Sequence, residues 1–300
     1  MDLATFLVQW LNSLQYGLLL FLVASGLTLI FGIMGVINLA HGSFYMIGAY
    51  MAWALAPGVA AGVGGGFFAT LALGLVLALA LGWVLEWAFF SYLYERDHLQ
   101  QVLMTYGLIF VFEELRSLLV GDEVHGVQPP AWLAGTLPLG ELMTYPVYRL
   151  FVSGLCLVLG GAMALVFTRT RLGLAIRAGS TGLAQREMVQ SLGVDIRKLY
   201  RVVFAAGVAL AALAGMVAAP VSSVYPGMGS QVLILCFVVV VIGGIGSIRG
   251  ALLASLLIGA VDTFGKVWLP QAAGLSVYLL MAAILLCKPA GLFSAGGGRR

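Results

Sequence analysis

From residue 10 to residue 288 the sequence is a succession of apolar runs, each about 20 residues long, the length a helix needs to cross a hydrocarbon core. The runs fall near 10–31, 38–56, 67–91, 100–120, 148–168, 202–219, 231–247, 251–269 and 273–288, about nine in all. In lipid every backbone polar group must be satisfied internally, which leaves helices or a closed barrel, and runs of this length select helices. Only 9% of the residues are charged, against roughly 25% in soluble domains, so a water-soluble fold is excluded. The expected fold class is an all-α polytopic membrane protein of about 8–10 transmembrane helices, with residues 1–300 as one transmembrane domain.

The charges that remain set the orientation. No Lys or Arg precedes Arg96, whereas Arg169, Arg171, Arg177, Arg186, Arg197, Lys198 and Arg201 crowd into one segment. Basic loops stay on the cytoplasmic side, so residues 169–201 form a cytoplasmic loop. Alternation then places the 92–99 turn and the C-terminal tail (Lys288, Arg299, Arg300) inside. The acidic loop 121–147 (Asp122, Glu123, Glu141) and the N-terminus fall outside. That loop carries Pro129, Pro130, Pro138 and Pro146 and is expected to be a short hairpin or surface helix. The net charge of +3 is spent on topology and leaves no basic face for nucleic acid. The first residues lack a positive n-region and a cleavage site, so the first helix is expected to stay in the mature protein. Cys156, Cys236 and Cys287 sit in apolar runs without CxxC spacing and read as small hydrophobes. His41, His98 and His125 form no HExxH, so neither a metal nor another cofactor is expected.

Within this apolar background the stretch Gly26 to Trp53, GLTLIFGIMGVINLAHGSFYMIGAYMAW, is anomalous. It has no Asp, Glu, Lys or Arg, yet its centre holds Gly32, Gly35, Asn38, His41, Gly42 and Ser43. Polar groups and helix-weakening glycines at membrane depth persist where they face protein or a wet cavity, which points to a conduit and a broken helix near 32–43. There Asn38 is expected to bond freed carbonyls, and His41 to bond the broken backbone near the inner face. A second glycine-broken run, GGIGSIRG (Gly243 to Gly250), lacks the spacing and the βαβ flanks of a dinucleotide fingerprint; it reads as a helix break or a close helix contact. Gly259, Gly265 and Lys266 miss the P-loop spacing, with Val267 where Ser or Thr would hold magnesium, so no ATPase is visible in the chain.

Gly74, Ala78 and Gly82, and likewise Gly207, Ala211 and Gly215, recur every four residues and predict close helix packing. Asp262 with Lys266, and Glu113 with Arg116, are spaced for local ion pairs. Glu86 and Glu114 have no local partner. In the basic loop, residues 181–192 are expected to form a short amphipathic helix, capped by Thr181 and ended by Gly193. Ala184, Met188 and Leu192 make its apolar stripe, with Arg186 and Glu187 opposite. By pattern alone that helix suits a groove on a cytoplasmic partner or a membrane surface.

Three blocks together resemble the permease subunits of bacterial ABC importers for branched-chain amino acids. They are GLTLIFGIMGVINLAHGSFYMIGAY, then TRLGLAIRA with the amphipathic helix and LGV, then PVSSVYPGMGSQVLILCFVVVVIGGIGSIRGALLASLLIGAVDTFG. Their order and spacing match the leucine-type permease over nearly the whole chain. The resemblance implies a subunit of the bacterial inner membrane with a cytoplasmic C-terminus. It would work with a homologous second permease as a heterodimer, two cytoplasmic ATP-binding subunits and a periplasmic solute-binding protein. It makes residues 181–192 the coupling helix, seated in the ATPase groove through Ala184, Arg186, Glu187, Met188, Leu192 and Gly193. It places Asn38, His41, Gly42 and Ser43 at a helix break on the translocation path, with Gly243, Gly244, Gly246 and Ser247 as the counterpart in an inverted second half. The chain departs from the family pattern at Ser180 and Thr181, where acidic residues are usual, at Arg249, where Pro is common, and at Asp262, where Glu is usual. Related permeases carry urea or short amides, which is the alternative solute class. An autonomous secondary transporter or channel would have to couple ions through Asp262, Glu86, Glu113 or Glu114. An intramembrane enzyme ranks last, since no Ser–His or paired Asp motif is present.

Overall fold

The computed structural model describes residues 3–62, 66–94, 96–138, 144–170, 173, 195–289 and 291–293. Among them 9 α-helices build the fold: α1 (Leu3–Met34), α2 (His41–Gly62), α3 (Gly66–Ala88), α4 (His98–Val120), α5 (Val147–Arg169), α6 (Ile196–Ser222), α7 (Met228–Gly243), α8 (Ile248–Trp268) and α9 (Ala273–Cys287). The all-α expectation holds. The 121–147 segment supplies a small antiparallel hairpin, β1 (Thr136–Pro138) on β2 (Thr144–Pro146), and a single 3-10 turn at Ala131–Leu133.

Helix lengths refine the expected spans. α1 has 32 residues, about 48 Å at 1.5 Å per residue. α7 and α9 have 16 and 15 residues, about 22–24 Å, short of a core of about 30 Å. Among the described residues five helices are long and apolar enough to cross a membrane by themselves: α1, α3 with the turn after it, α5, α6 and α8.

α6 is the axle of the bundle and packs on α1, α2 and α3. Its buried stretch is dominated by Ala and Gly, from Ala205 to Ala219, so neighbouring backbones come close and van der Waals contact replaces the missing hydrophobic drive. The Gly74–Ala78–Gly82 stripe of α3 seats on it. A Cβ on Gly82 would stand 2.7 Å from Ala205 Cα, and Ala78 is packed with Ala209 and Ala212. The Gly207–Ala211–Gly215 stripe faces other neighbours: Gly207 meets Gly26 and Ile30 of α1, and Gly215 meets Tyr45 and Ala49 of α2. Both predicted small faces are therefore used, on opposite partners.

α1 also lies along α8. A Cβ on Gly17 would stand 2.9 Å from the Ser255 carbonyl oxygen, and one on Gly259 2.6 Å from that of Ser13. The contacting residues advance along one helix as they recede along the other, Ser13 with Gly259 and Gly17 with Ser255, so the pair is antiparallel and the end of α1 arrives at the start of α8. The two local ion pairs form as spaced, Arg116–Glu113 at 3.1 Å and Lys266–Asp262 at 2.5 Å. Arg116 also binds Asp122 at 2.9 Å. That hydrogen bond, with one from Ser117, holds the Asp122 carboxyl below the usual carboxylate range.

Candidate functional site

α1 stops at Met34 because Gly35 turns the backbone to φ +69°, a left-handed value that costs glycine nothing. Residues 35–40 are then non-helical, which narrows the expected break from 32–43 to six positions. Asn38, fully buried, restarts the helix. Its Oδ1 accepts the Ala40 N–H at 3.0 Å, and its own carbonyl accepts the His41 N–H at 3.3 Å. Asn38 was expected to bond freed carbonyls. Instead it satisfies an amide, because a helix that begins inside the bundle brings unpaired N–H groups with it. Thr105, near the start of α4, reaches the Ile37 carbonyl oxygen at 3.5 Å. This places the break at the end of the bundle that carries Arg96.

His41 opens α2 and is fully buried. Its Nε2 lies 3.0 Å from the Val23 carbonyl oxygen and donates to it. That leaves Nδ1 as the bare nitrogen, buried with no partner among the described residues. The carbonyl belongs to unbroken α1 rather than to the broken backbone expected from the sequence. Gly26 makes room for the ring: a Cβ there would stand 3.0 Å from His41 Cε1. Gly42 lies against α7, where a Cβ would overlap the Gly229 carbonyl and come within 2.8 Å of Leu233 Cβ. Ser43 is buried, its N–H bonded to the Ala40 carbonyl at 3.0 Å.

The second broken run is a tight turn between α7 and α8. Gly243 and Gly250 touch; a Cβ on Gly243 would be 2.5 Å from the Gly250 carbonyl carbon. Gly244 and Gly246 carry φ of +93° and +76°. Ser247 caps α8, its Oγ accepting the Gly250 N–H at 3.0 Å. The turn is pinned from the far end of the chain: the Leu292 and Phe293 amides bond the Ile242 and Gly243 carbonyls at 2.8 and 3.2 Å. GGIGS thus serves both expected ends, a break and a close helix contact.

The end of α1, just before the first break, meets the second broken segment. A Cβ on Gly32 would stand 2.7 Å from Gly246 Cα, so the last turns of α1 rest directly on the α7–α8 turn. Asn38, His41, Gly42, Ser43, Gly243 and Gly244 are buried, Ser247 is half-buried, and Gly246 is exposed. The contact itself is made at Gly32 and Gly246, while His41 and Gly42 pack further away, on Val23 of α1 and on Gly229 near the start of α7.

One polar centre was not legible from the sequence. Glu86, 0% exposed, accepts from Arg201 Nε at 2.6 Å and from the Tyr94 hydroxyl at 2.8 Å. Its partner is on α6, and Arg201 also lies 5.2 Å over the Trp83 ring. The only signal was an acid near the basic end of its span without a local partner. The positions expected to couple to an ATPase, Ala184, Arg186, Glu187, Met188, Leu192 and Gly193, lie outside the described residues. Directly after them Asp195 caps α6, its Oδ1 accepting the Lys198 N–H at 3.1 Å. This bond, supported by the Lys198 side chain, keeps the carboxyl below its usual range. Among the described residues no group of three or more His, Cys, Asp or Glu could hold a metal ion.

Comparison with known proteins gives one consistent picture. The family described as the permease component of the branched-chain amino acid transport system matches residues 9–287. The high-affinity branched-chain amino acid transport system permease protein BraD of Pseudomonas aeruginosa is 30% identical over 300 residues, covering 96% of this chain and 95% of its own. The corresponding protein LivH of Escherichia coli is 28% identical over 304 residues, covering 96% and 95%. LivH of Salmonella typhimurium is 27% identical over 304 residues. No solved structure matches.

Proposed function

Because the chain belongs to the family of permease components of branched-chain amino acid transport systems, we propose that it is the membrane-spanning subunit of an ATP-driven importer for branched-chain amino acids. It is a transport subunit and not an enzyme; ATP is hydrolysed on separate cytoplasmic subunits. A second, homologous permease completes the pathway, and an external binding protein delivers the solute. The observation that carries this reading is the continuity of the match, which runs through both glycine-broken segments and the basic loop between them in one stretch.

The geometry supports a specific division of labour. Asn38, His41, Gly42 and Ser43 build the α1–α2 junction, and Gly243, Gly244, Gly246 and Ser247 build the α7–α8 turn. Joined at Gly32 and Gly246, the two segments move as one body beside the solute path. Input arrives through residues 184–193, whose displacement is handed to the first turn of α6 at Asp195. From α6 it reaches α1, α2 and α3 through the small-residue contacts at Gly26–Gly207, Tyr45–Gly215 and Gly82–Ala205. Switching then needs only that ATP binding favour one arrangement of these contacts over the other.

The test is reconstitution with the co-expressed ATP-binding subunits and binding protein. ATP-driven uptake of labelled leucine is expected, and Met188→Glu is expected to abolish both uptake and co-purification of the ATP-binding subunits. Uptake by this chain alone, or full activity of Met188→Glu, would overturn the reading. Uptake of urea or acetamide without leucine would reassign the solute.

A further inference from the structure

At the basic end of the bundle a polar cavity of about 640 Å³ opens between the end of α3, the turn after it and the start of α6. Its walls include Arg96, Arg197 and Arg201 together with Trp87, Tyr92 and Tyr94. We propose that this cavity binds the phosphodiester headgroup of an anionic membrane phospholipid, with the acyl chains lying along the exposed face of α3.

The cations are arranged for it. Arg201 is oriented from behind by Glu86, which holds its Nε at 2.6 Å and is itself fixed by the Tyr94 hydroxyl. Among the described residues Arg96 and Arg197, which both line the cavity, take part in no ion pair. A planar guanidinium offers paired N–H donors that fit two phosphate oxygens at once. Basic pockets between spanning helices at a membrane surface are the expected seats of anionic headgroups.

A free phosphate would not need the rest of the site. Trp87 is 62% exposed and Tyr92 73% exposed, and such rings settle at headgroup level. Below them Val76, Val84 and Trp83 continue as an exposed apolar strip on the side of α3 opposite its packed Gly74–Ala78–Gly82 stripe. A head with oxygens for arginine and two hydrocarbon tails matches this strip-plus-cavity layout. The inference rests on the fold and the cavity alone and does not depend on the solute.

The measurement is lipid retention by the purified transporter complex in nanodiscs of phosphatidylethanolamine with or without phosphatidylglycerol, read by native mass spectrometry. Wild type is expected to retain phosphatidylglycerol in preference to phosphatidylethanolamine. A cation near the surface contributes about fivefold in affinity, so Arg96→Gln with Arg197→Gln lowers retention by about 25-fold. Arg96→Lys with Arg197→Lys, which preserves charge and fold, is expected to fall between the two. Equal retention by wild type and the Gln variant would overturn the proposal. So would displacement by millimolar inorganic phosphate, which would make the cavity a soluble-anion site. Loss of the ATP-binding subunits from the Gln variant with phosphatidylglycerol still bound would assign the arginines to a subunit contact instead.

Discussion

Replacing Gly32 by alanine tests whether the two broken segments act as one body. The added carbon would stand 2.7 Å from Gly246 Cα, where carbon pairs rest at about 3.5–4.0 Å. Something must retreat by about 1 Å. The α7–α8 turn is poorly placed to do so, since the Leu292 and Phe293 amides pin its carbonyls and Gly243 abuts Gly250. Overpacking of this kind costs about 1–3 kcal/mol. Alanine's helix preference over glycine returns about 1 kcal/mol, leaving a net loss of about 0–2 kcal/mol. Gly246→Ala acts on the same contact from the other side, with a left-handed φ of +76° that costs an L residue about 1–2 kcal/mol. The two changes share one contact, so their effects should not add. Transport is the sharper assay. If the seam is packed in only one of the two transport states, 1–2 kcal/mol of overlap slows uptake about 5- to 30-fold. Leucine uptake in proteoliposomes and denaturant unfolding of the same preparations measure both quantities. Wild-type uptake by Gly32→Ala, with strictly additive stabilities in the double variant, would refute the shared seam.

Three further outcomes follow from the geometry. Arg201→Met strands the buried Glu86 and should cost about 3–5 kcal/mol in unfolding experiments, whereas Glu86→Gln combined with Arg201→Met should recover most of it; a single variant within 1 kcal/mol of wild type, by about the error of the assay, would contradict the pairing. Asp195 has a depressed folded-state pKa, so its capping stabilisation is present above the unfolded value of about 3.9 and is lost as pH falls through the lower folded value. Amide exchange at residues 197–199, corrected for the intrinsic pH dependence, should accelerate in that window in wild type and stay level in Asp195→Asn. His41→Leu removes the donor to Val23 and should destabilise by about 1–2 kcal/mol, and His41→Gln, which retains a donor, should lose less in the same unfolding assay.

How far such a chain can be read from its sequence depends on whether a contact is local. Glu113–Arg116 and Asp262–Lys266 were legible because helix geometry alone puts residues three or four apart on one face. Glu86–Arg201 was not, because its 115-residue separation is closed only by the packing of α3 on α6. The same rule divides the glycines. Gly35 and Gly246 announced breaks, since glycine in an apolar run favours a turn or a close approach. That Gly32 and Gly246 touch required the antiparallel alignment of α1 with α8. His41 failed in the same way: its polarity was visible, but its acceptor sits 18 residues back on a continuous helix and is reached only through the space left by Gly26.

That division bears on mechanism. The local features build stiff units: two capped helix starts at Asn38 and Ser247, and a capped α6 at Asp195. The closest non-local contacts of α6 set glycine or alanine against a neighbouring helix, at Gly26–Gly207, Tyr45–Gly215 and Gly82–Ala205. Side-chain bonds cross other seams: Glu86–Arg201 ties α3 to the first turns of α6, His41 ties α2 to the Val23 carbonyl of α1, and Tyr148 ties α5 to the Val217 carbonyl of α6. In the proposed relay, a displacement applied before Asp195 carries α3 along with α6 through the Glu86–Arg201 pair. An interhelical ion pair thus stands beside the segment proposed to receive the input, and close backbone contacts lead from α6 to α1 and α2, the helices on either side of residues 35–40, as the proposed relay requires.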